Sequence, residues 1–366
     1  MARIPATCAD IDAAWLNEVL SHDVRGGGTV TAVGVEVIGE GVGFLGEVAR
    51  LTLSYDATAG GGVASVIAKL PTANAGFRHI GLMFGFYRKE HGFYAEVAQQ
   101  VQLSIPRAYH NAADVEAGEY VLLLEDMAPR RPGNQLAGCT LEEAELALQE
   151  VAGFHATWWE HPKLDEFSTW LPGPDDPYFA LLEAVYQDAL PKFADAFGYL
   201  VGDRIVELAG RYSGMYAEAV QRGVGRLPHT FIHGDFRLDN MMFSGSGDEL
   251  QFCLLDWQLP FKANPMWDVV YFLAGNFEPQ WRRDHQHQLL HRYHDALVAA
   301  GVSGYPFEQC EEDYRAAGLV LLGYLVSGAA DVDLATLNDR GRELIETMFT
   351  RYALAIEDLG SASFLD

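Results

Sequence analysis

Hydrophobic positions along the chain change their period once. Between Val30 and Met127 they recur mostly at every second residue. Val33, Val35 and Val37 alternate with small or polar residues, and Ala49, Leu51, Leu53 and Tyr55 alternate with Arg50, Thr52 and Ser54. Successive side chains of a strand point to opposite faces, so this alternation predicts half-buried antiparallel strands. After the turn Gly60-Gly61-Gly62, Val63 to Leu70 reads as another strand, and strand-like runs recur at Pro106 to His110 and Tyr120 to Glu125. One helical segment, Gly81 to Gln100, interrupts them, and a short one, Ile11 to Leu20, precedes them.

Past Met127 the pattern is helical almost throughout. Thr140-Leu-Glu-Glu143 is a capping box opening a helix that reaches about Trp159. Further helices are expected near 177–196, 201–222, 264–275, 279–300, 307–328 and 334–359, and only 229–260 departs, with short apolar runs around loops. The expected class is α+β. Residues 1–127 form a small antiparallel β-sheet lobe with one main helix, and residues 128–366 a large, mostly helical lobe.

Composition narrows the function. Of 366 residues, 49% are apolar, enough for a large core. Lysine and arginine total 25 against 51 acidic residues, a net charge of −26, which argues against a nucleic-acid partner and against docking on an anionic membrane. Cys8, Cys139, Cys253 and Cys310 have neither CxxC nor zinc-ligand spacing and read as buried small hydrophobes. No run of 18 apolar residues and no leader-like N-terminus is present, so a cytoplasmic protein is expected.

Gly41-x-Gly43-x-x-Gly46 lies between two predicted strands, where a dinucleotide fold would instead place a helix next. It is either an ordinary glycine-rich hairpin or a tip that lies over phosphates. Lys69 falls in an apolar strand, on the face opposite Val66, Ala68 and Leu70, and a lysine inside a half-buried sheet needs an anionic partner. In the following helix Phe86, Glu90, Phe93 and Val97 share one stripe, so Glu90 interrupts an apolar face and is the carboxylate expected to pair with Lys69.

The segment from Phe231 to Phe243 sets His233, Asp235, Asp239 and Asn240 between apolar runs, as a rigid loop beside a core would require. Sixteen residues past Asn240, Asp256 ends the apolar run Phe252-Cys-Leu-Leu. Asn240 and Asp256 offer hard oxygen ligands suited to Mg²⁺, which leaves Asp235 to receive a hydroxyl proton.

His233-Gly-Asp-x-x-x-x-Asn240, followed by Asp256-Trp-Gln, resembles the aminoglycoside phosphotransferase and choline kinase superfamily. The similarity is greatest to its ecdysteroid-kinase-like branch. Val121 to Met127 is similar to that branch's interlobe hinge, and Asp256-Trp-Gln-Leu-Pro with Met266-Trp-Asp268 is similar to its metal-loop block. The resemblance spans about residues 12 to 330. It implies a bilobal protein-kinase-like fold, ATP and Mg²⁺ as cofactors, and transfer of the γ-phosphate to a small-molecule hydroxyl. Asp235 would be the catalytic base, and Asn240 and Asp256 the metal ligands. Lys69, braced by Glu90, would contact the α- and β-phosphates, Gly41, Gly43 and Gly46 would cover them, and the backbone of Glu125 and Met127 would hold adenine. His233 and Asp268 would brace the catalytic loop.

Some features depart from protein kinases. Gln258 stands where a protein kinase's metal motif has glycine. Only eleven residues separate Asp256 from Asp268, too few for an activation segment, so no protein substrate is expected. A catalytically silent nucleotide binder of the same fold is the alternative. A metal-dependent hydrolase using His233, Asp235 and Asp256 would leave the glycine hairpin and Lys69 without a task. His155 with Trp158 and Trp159 reads as helix packing, and His285, His287, His291 and His294 as a solvated helix face. The acceptor is not legible: acidic residues such as Asp175, Asp176 and Asp331 would suit aminoglycosides or choline, an aromatic pocket a steroid or macrolide.

Overall fold

The computed structural model describes residues 3–38, 46–330 and 337–366. Gly41, Gly43 and Asp331 lie outside the described residues. Internal contacts divide the chain into two units: Met1–Arg130 with Leu255–Gln258, and Arg131–Leu254 with Leu259–Asp366. A division at residue 127 assigns Leu255–Gln258 to the second lobe, whereas its ion pair, ring stack and hydrogen bond, described below, attach it to the first unit.

In the first unit, α1 (Ala13–Val19) starts where the Asp12 side chain accepts the Trp15 N–H at 2.8 Å. Five antiparallel strands follow: β1 (Val30–Val37), β2 (Gly46–Tyr55), β3 (Ser65–Pro71), β4 (Ala108–Asp114) and β5 (Glu119–Glu125). Their spatial order is β1-β2-β3-β5-β4, which makes β3 central, with Lys69 opposite Val48 on one side and Leu122 on the other. Alternation gives this sheet two different faces. Ala49, Leu51, Leu53, Val66, Ala68, Leu70, Val121 and Leu123 pack with Trp15 and Leu16 into one core. Lys69 and Tyr120 have the opposite parity and are buried.

The single helix expected over 81–100 is instead two helices and an irregular tail. α2 (Ala75–Met83) ends before Gly85, whose φ of +64° belongs to the left-handed region that favours glycine. α3 (Phe86–Gly92) then begins, and Phe93–Val97 relaxes into a π turn. The predicted stripe survives this loosening, since Phe86, Glu90, Phe93 and Val97 are all buried. β4 also runs beyond His110. Asn111 and Asp114 are polar and Ala112 and Ala113 small, but the pairing of this stretch with Glu119 to Leu122 continues the ladder.

In the second unit, α4 (Leu141–Thr157) carries the capping box, with Thr140 Oγ1 accepting from Glu143 N and Glu143 Oε2 from Thr140 N. After it come α5 (Lys163–Glu166), α6 (Tyr178–Val201), α7 (Asp203–Gly214), α8 (Tyr216–Gly223), α9 (Met266–Asn276), α10 (Pro279–Ala299), α11 (Phe307–Ala317), α12 (Val320–Gly328) and α13 (Asp339–Asp358). Two expected long helices are each divided. The one over 201–222 breaks at Met215, which leaves helical geometry at φ −141°, ψ 35°, and the one over 307–328 breaks around Gly318, where an added Cβ would fall 2.1 Å from Ser361 Oγ. Short strands β6 (Arg131–Pro132), β8 (Met241–Ser244) and β9 (Gln251–Leu254) form one sheet, and β7 (Thr230–Ile232) pairs with β10 (Phe261–Ala263). α9 is buried on every side, which its nearly uninterrupted apolar sequence demands.

Leu51 is fully buried at the centre of the first unit's core. Leu51→Ala is expected to cost about 2–5 kcal/mol, through lost burial and the cavity left behind. Urea denaturation of both proteins measures the difference.

Candidate active site

The residues singled out in the first unit converge on Lys69. Its Nζ lies 2.7 Å from Glu90 Oε1 and 2.6 Å from Asp256 Oδ1. Glu90 is fully buried on α3, and Lys69 retains 8% exposure. Burial alone would lower the lysine's pKa, but Asp256 and Glu90 outweigh it and hold the ammonium above its ordinary value. Lys69 therefore stays charged through the physiological range. Asp256 adopts φ +63°, which costs a non-glycine residue backbone strain, and its carboxylate is one-third exposed. Its neighbour Trp257 is fully buried and stacks on Phe93 with ring centroids 3.8 Å apart. Gln258 Nε2 donates to Glu90 Oε2 at 3.2 Å, and Tyr120 Oη donates to the same oxygen at 3.1 Å.

The segment from Glu125 to Met127 lies at the end of β5. Glu125 N–H donates to Arg107 C=O, and Met127 C=O accepts from Arg130 N. Between them Asp126 accepts from Arg50 Nε and Ser65 Oγ, each at 2.7 Å, and from Ala128 N at 3.1 Å. Desolvation would raise the Asp126 pKa, but these three donors together hold it below the usual carboxylate range. Gly46 begins β2 opposite Pro71.

In the second unit β7 leads into the catalytic-loop candidates. Gly234 has φ +76°, and a Cβ there would sit 1.9 Å from Leu259 C=O, so only glycine fits. Asp268, fully buried on α9, accepts His233 N at 2.7 Å on Oδ2 and Gly234 N at 2.8 Å on Oδ1. The Asp235 carboxylate receives Asn240 Nδ2 at 2.8 Å, Tyr271 Oη at 3.0 Å and Arg237 Nε at 3.0 Å. Burial would lower the Arg237 pKa, yet Asp235, Tyr271 and Asp239 keep it above its ordinary value. Asn240 spends its amide group on Asp235, through both the carboxylate and the backbone C=O, which leaves its Oδ1 as the atom able to take a cation.

Several of these contacts lie beyond the sequence reading. His155 is indeed buried, but it also reaches Asp268 Oδ2 at 3.2 Å and Tyr293 Oη at 2.8 Å, which links α10 and α4 to the carboxylate that holds the His233–Gly234 backbone. Arg237 and Tyr271 on Asp235, and Tyr120 and Gln258 on Glu90, were not identified either. Tyr271 had a usable signal, since it lies three residues after Asp268 and so on the same face of α9. The histidines of α10 take part in ring contacts, His291 stacking on Phe307 and His285 on Trp281. Among the described residues, no group of three or more His, Cys, Asp or Glu is arranged to hold a metal ion, and no helix is long and apolar enough to cross a membrane.

The antiparallel five-stranded sheet with α3 beside it, followed in the chain by a helical unit, is a protein-kinase-like fold shared with solved aminoglycoside phosphotransferase structures. The chain belongs to the Ecdysteroid kinase-like family, whose pattern it matches over residues 40–301. Solved structures agree on the fold. A candidate aminoglycoside phosphotransferase from Ralstonia eutropha is 14% identical, with 96% of this chain and 97% of that one covered and a TM-score of 0.52. The GDP and kanamycin complex of APH(2")-IIia is 15% identical, with 92% and 94% covered and a TM-score of 0.52. No curated protein sequence matches the chain.

Two expectations follow from the bracing carboxylates. Asp268→Asn removes the charge that receives two backbone N–H groups and should destabilise the protein by about 2–3 kcal/mol, read by urea denaturation. For Asp126 the folded pKa is depressed, so its stabilisation is complete above the ordinary carboxylate value and is lost as pH falls through the depressed one. Asp126→Asn should therefore lower stability at neutral pH and flatten the loss of stability below about pH 4, measured by denaturation across that range.

Proposed function

We propose that the chain is an ATP- and Mg²⁺-dependent phosphotransferase that moves the γ-phosphate to a hydroxyl of a small molecule. The observation that carries this reading is the buried ammonium of Lys69 held between Glu90 and Asp256. A lysine so fixed costs its burial and is useful where a polyanion must be bound. The donor set fits the cofactors. Lys69 would meet the α- and β-phosphates, the sequence run Gly41, Gly43 and Gly46 would cover them, and Asp256 and Asn240 each carry a side-chain oxygen of the hard kind that Mg²⁺ would take. When bound, Mg²⁺ and the triphosphate supply charge neutralisation and the group to be transferred. The backbone of Glu125 and Met127, at the end of β5, would hold the adenine edge.

Asp235 receives the acceptor's proton and orients its hydroxyl. Three donors hold its carboxylate in one rotamer, and Asp268 holds the backbone of His233 and Gly234. Phosphoryl transfer asks for positioning and charge more than covalent chemistry, and these residues supply both. The acceptor is a small-molecule hydroxyl of the aminoglycoside, amino-alcohol or steroid and macrolide kind, in a cytoplasmic setting. A silent nucleotide binder would have no use for a fixed Asp235.

Asp235→Asn should lower acceptor-dependent ADP release at least about 10²-fold while leaving Mg-ATP binding within a few-fold of wild type. Asp256→Ala should weaken Mg²⁺-dependent nucleotide binding as well. A coupled ADP assay across acceptor classes, with titration calorimetry for binding, checks both, and equal activity of Asp235→Asn and wild type would remove the assignment.

A further inference from the structure

Glu90 does more than face Lys69. Its Oε1 meets the ammonium, while its Oε2 accepts from two neutral donors, Tyr120 Oη at 3.1 Å and Gln258 Nε2 at 3.2 Å. All three donors are buried, and they come from three separate segments: β3, β5 and the tetrapeptide that follows β9. With Lys69 alone, the carboxylate could pivot about its last torsion and strand one oxygen in an apolar setting. With both oxygens engaged, its plane is set and Oε1 stays aimed at Lys69.

Gln258 has a second consequence. It lies two residues from Asp256, and the intervening Trp257 is clamped on Phe93 of the turn that continues α3. The segment that carries the candidate metal aspartate is therefore fastened to the candidate phosphate-binding pair at two points, a ring stack and an amide hydrogen bond. A neutral amide suits this place. A cation at 258 would compete with Lys69 for Glu90, and an anion would repel it.

We infer that Gln258, with Tyr120, is a positioning residue for the Lys69–Glu90 pair, coupling the setting of the phosphate-binding lysine to the Asp256 segment. The inference rests on the proposed nucleotide site, and neither residue touches nucleotide in it. The consequence is selective: losing the amide should weaken what Lys69 does for phosphates and leave the adenosine end of the site alone.

The test is titration calorimetry of the full chain with Mg-ATP and, separately, with adenosine. The variants are Gln258→Met, Tyr120→Phe, Glu90→Gln and the double variant Gln258→Met/Glu90→Gln, with thermal unfolding run on each. Gln258→Met is expected to weaken Mg-ATP binding about tenfold and adenosine binding less than about twofold. Tyr120→Phe, which removes one hydroxyl only, should show the same selectivity and serves if Gln258→Met folds poorly. In the Glu90→Gln background Gln258→Met should add almost nothing, because a residue acting through Glu90 has nothing left to position. An unchanged Mg-ATP to adenosine ratio in both Gln258→Met and Tyr120→Phe would overturn the inference while the functional reading stood. So would a full tenfold loss that persists without Glu90. A wild-type chain that binds neither ligand would contradict the functional reading itself, and this inference with it.

Discussion

The first unit is organised around a buried positive charge. An ammonium taken out of water costs several kcal/mol unless anions replace its hydration, and the chain meets that requirement with two carboxylates from distant places, Glu90 on α3 and Asp256 after β9. Much of the local architecture follows. β3 must be the central strand, so that Lys69 is shielded on both sides. α3 must present Glu90 toward the sheet, and the left-handed Gly85 lets that helix start afresh at the required angle. Leu255–Gln258 must leave the company of β9 and join the first unit, which it does through Asp256, Trp257 and Gln258.

The second unit solves a different problem with the same means. Its reactive candidate, Asp235, lies on a loop, and a loop holds a carboxylate still only if its backbone donors have fixed partners. Asp268 is that partner, and it is anchored in turn by the fully buried α9 and by the His155–Tyr293 link. Arg237, Tyr271 and Asn240 then immobilise the side chain itself. Preorganisation of this kind lowers the reorganisation needed when charge moves during a transfer step.

The two parts of the chain differ in how openly the sequence declares them. The sheet was legible because period-two alternation is a direct image of a half-buried strand, and Lys69 and Glu90 stood out because each is a charge in an otherwise apolar stripe. Helix breaks at Met215 and around Gly318 were not legible, since the apolar period runs across them and only local backbone geometry interrupts it. Gln258, Tyr120, Arg237 and Tyr271 were missed for a related reason. Each is an ordinary polar or aromatic residue whose importance comes from a partner between 2 and 168 positions away. Such pairings are properties of the fold, and of these four residues only Tyr271, three positions after Asp268 on α9, left a trace in the spacing.

The most direct measurement of the central claim is phosphorus NMR of the chain incubated with Mg-ATP and an acceptor that stimulates ADP release. The account predicts a phosphomonoester resonance that grows in step with ADP and is absent when Asp235 is replaced by asparagine. Inorganic phosphate as the sole new product, formed equally by both proteins, would contradict it, because the γ-phosphate would then be passing to water without the carboxylate assigned to direct it.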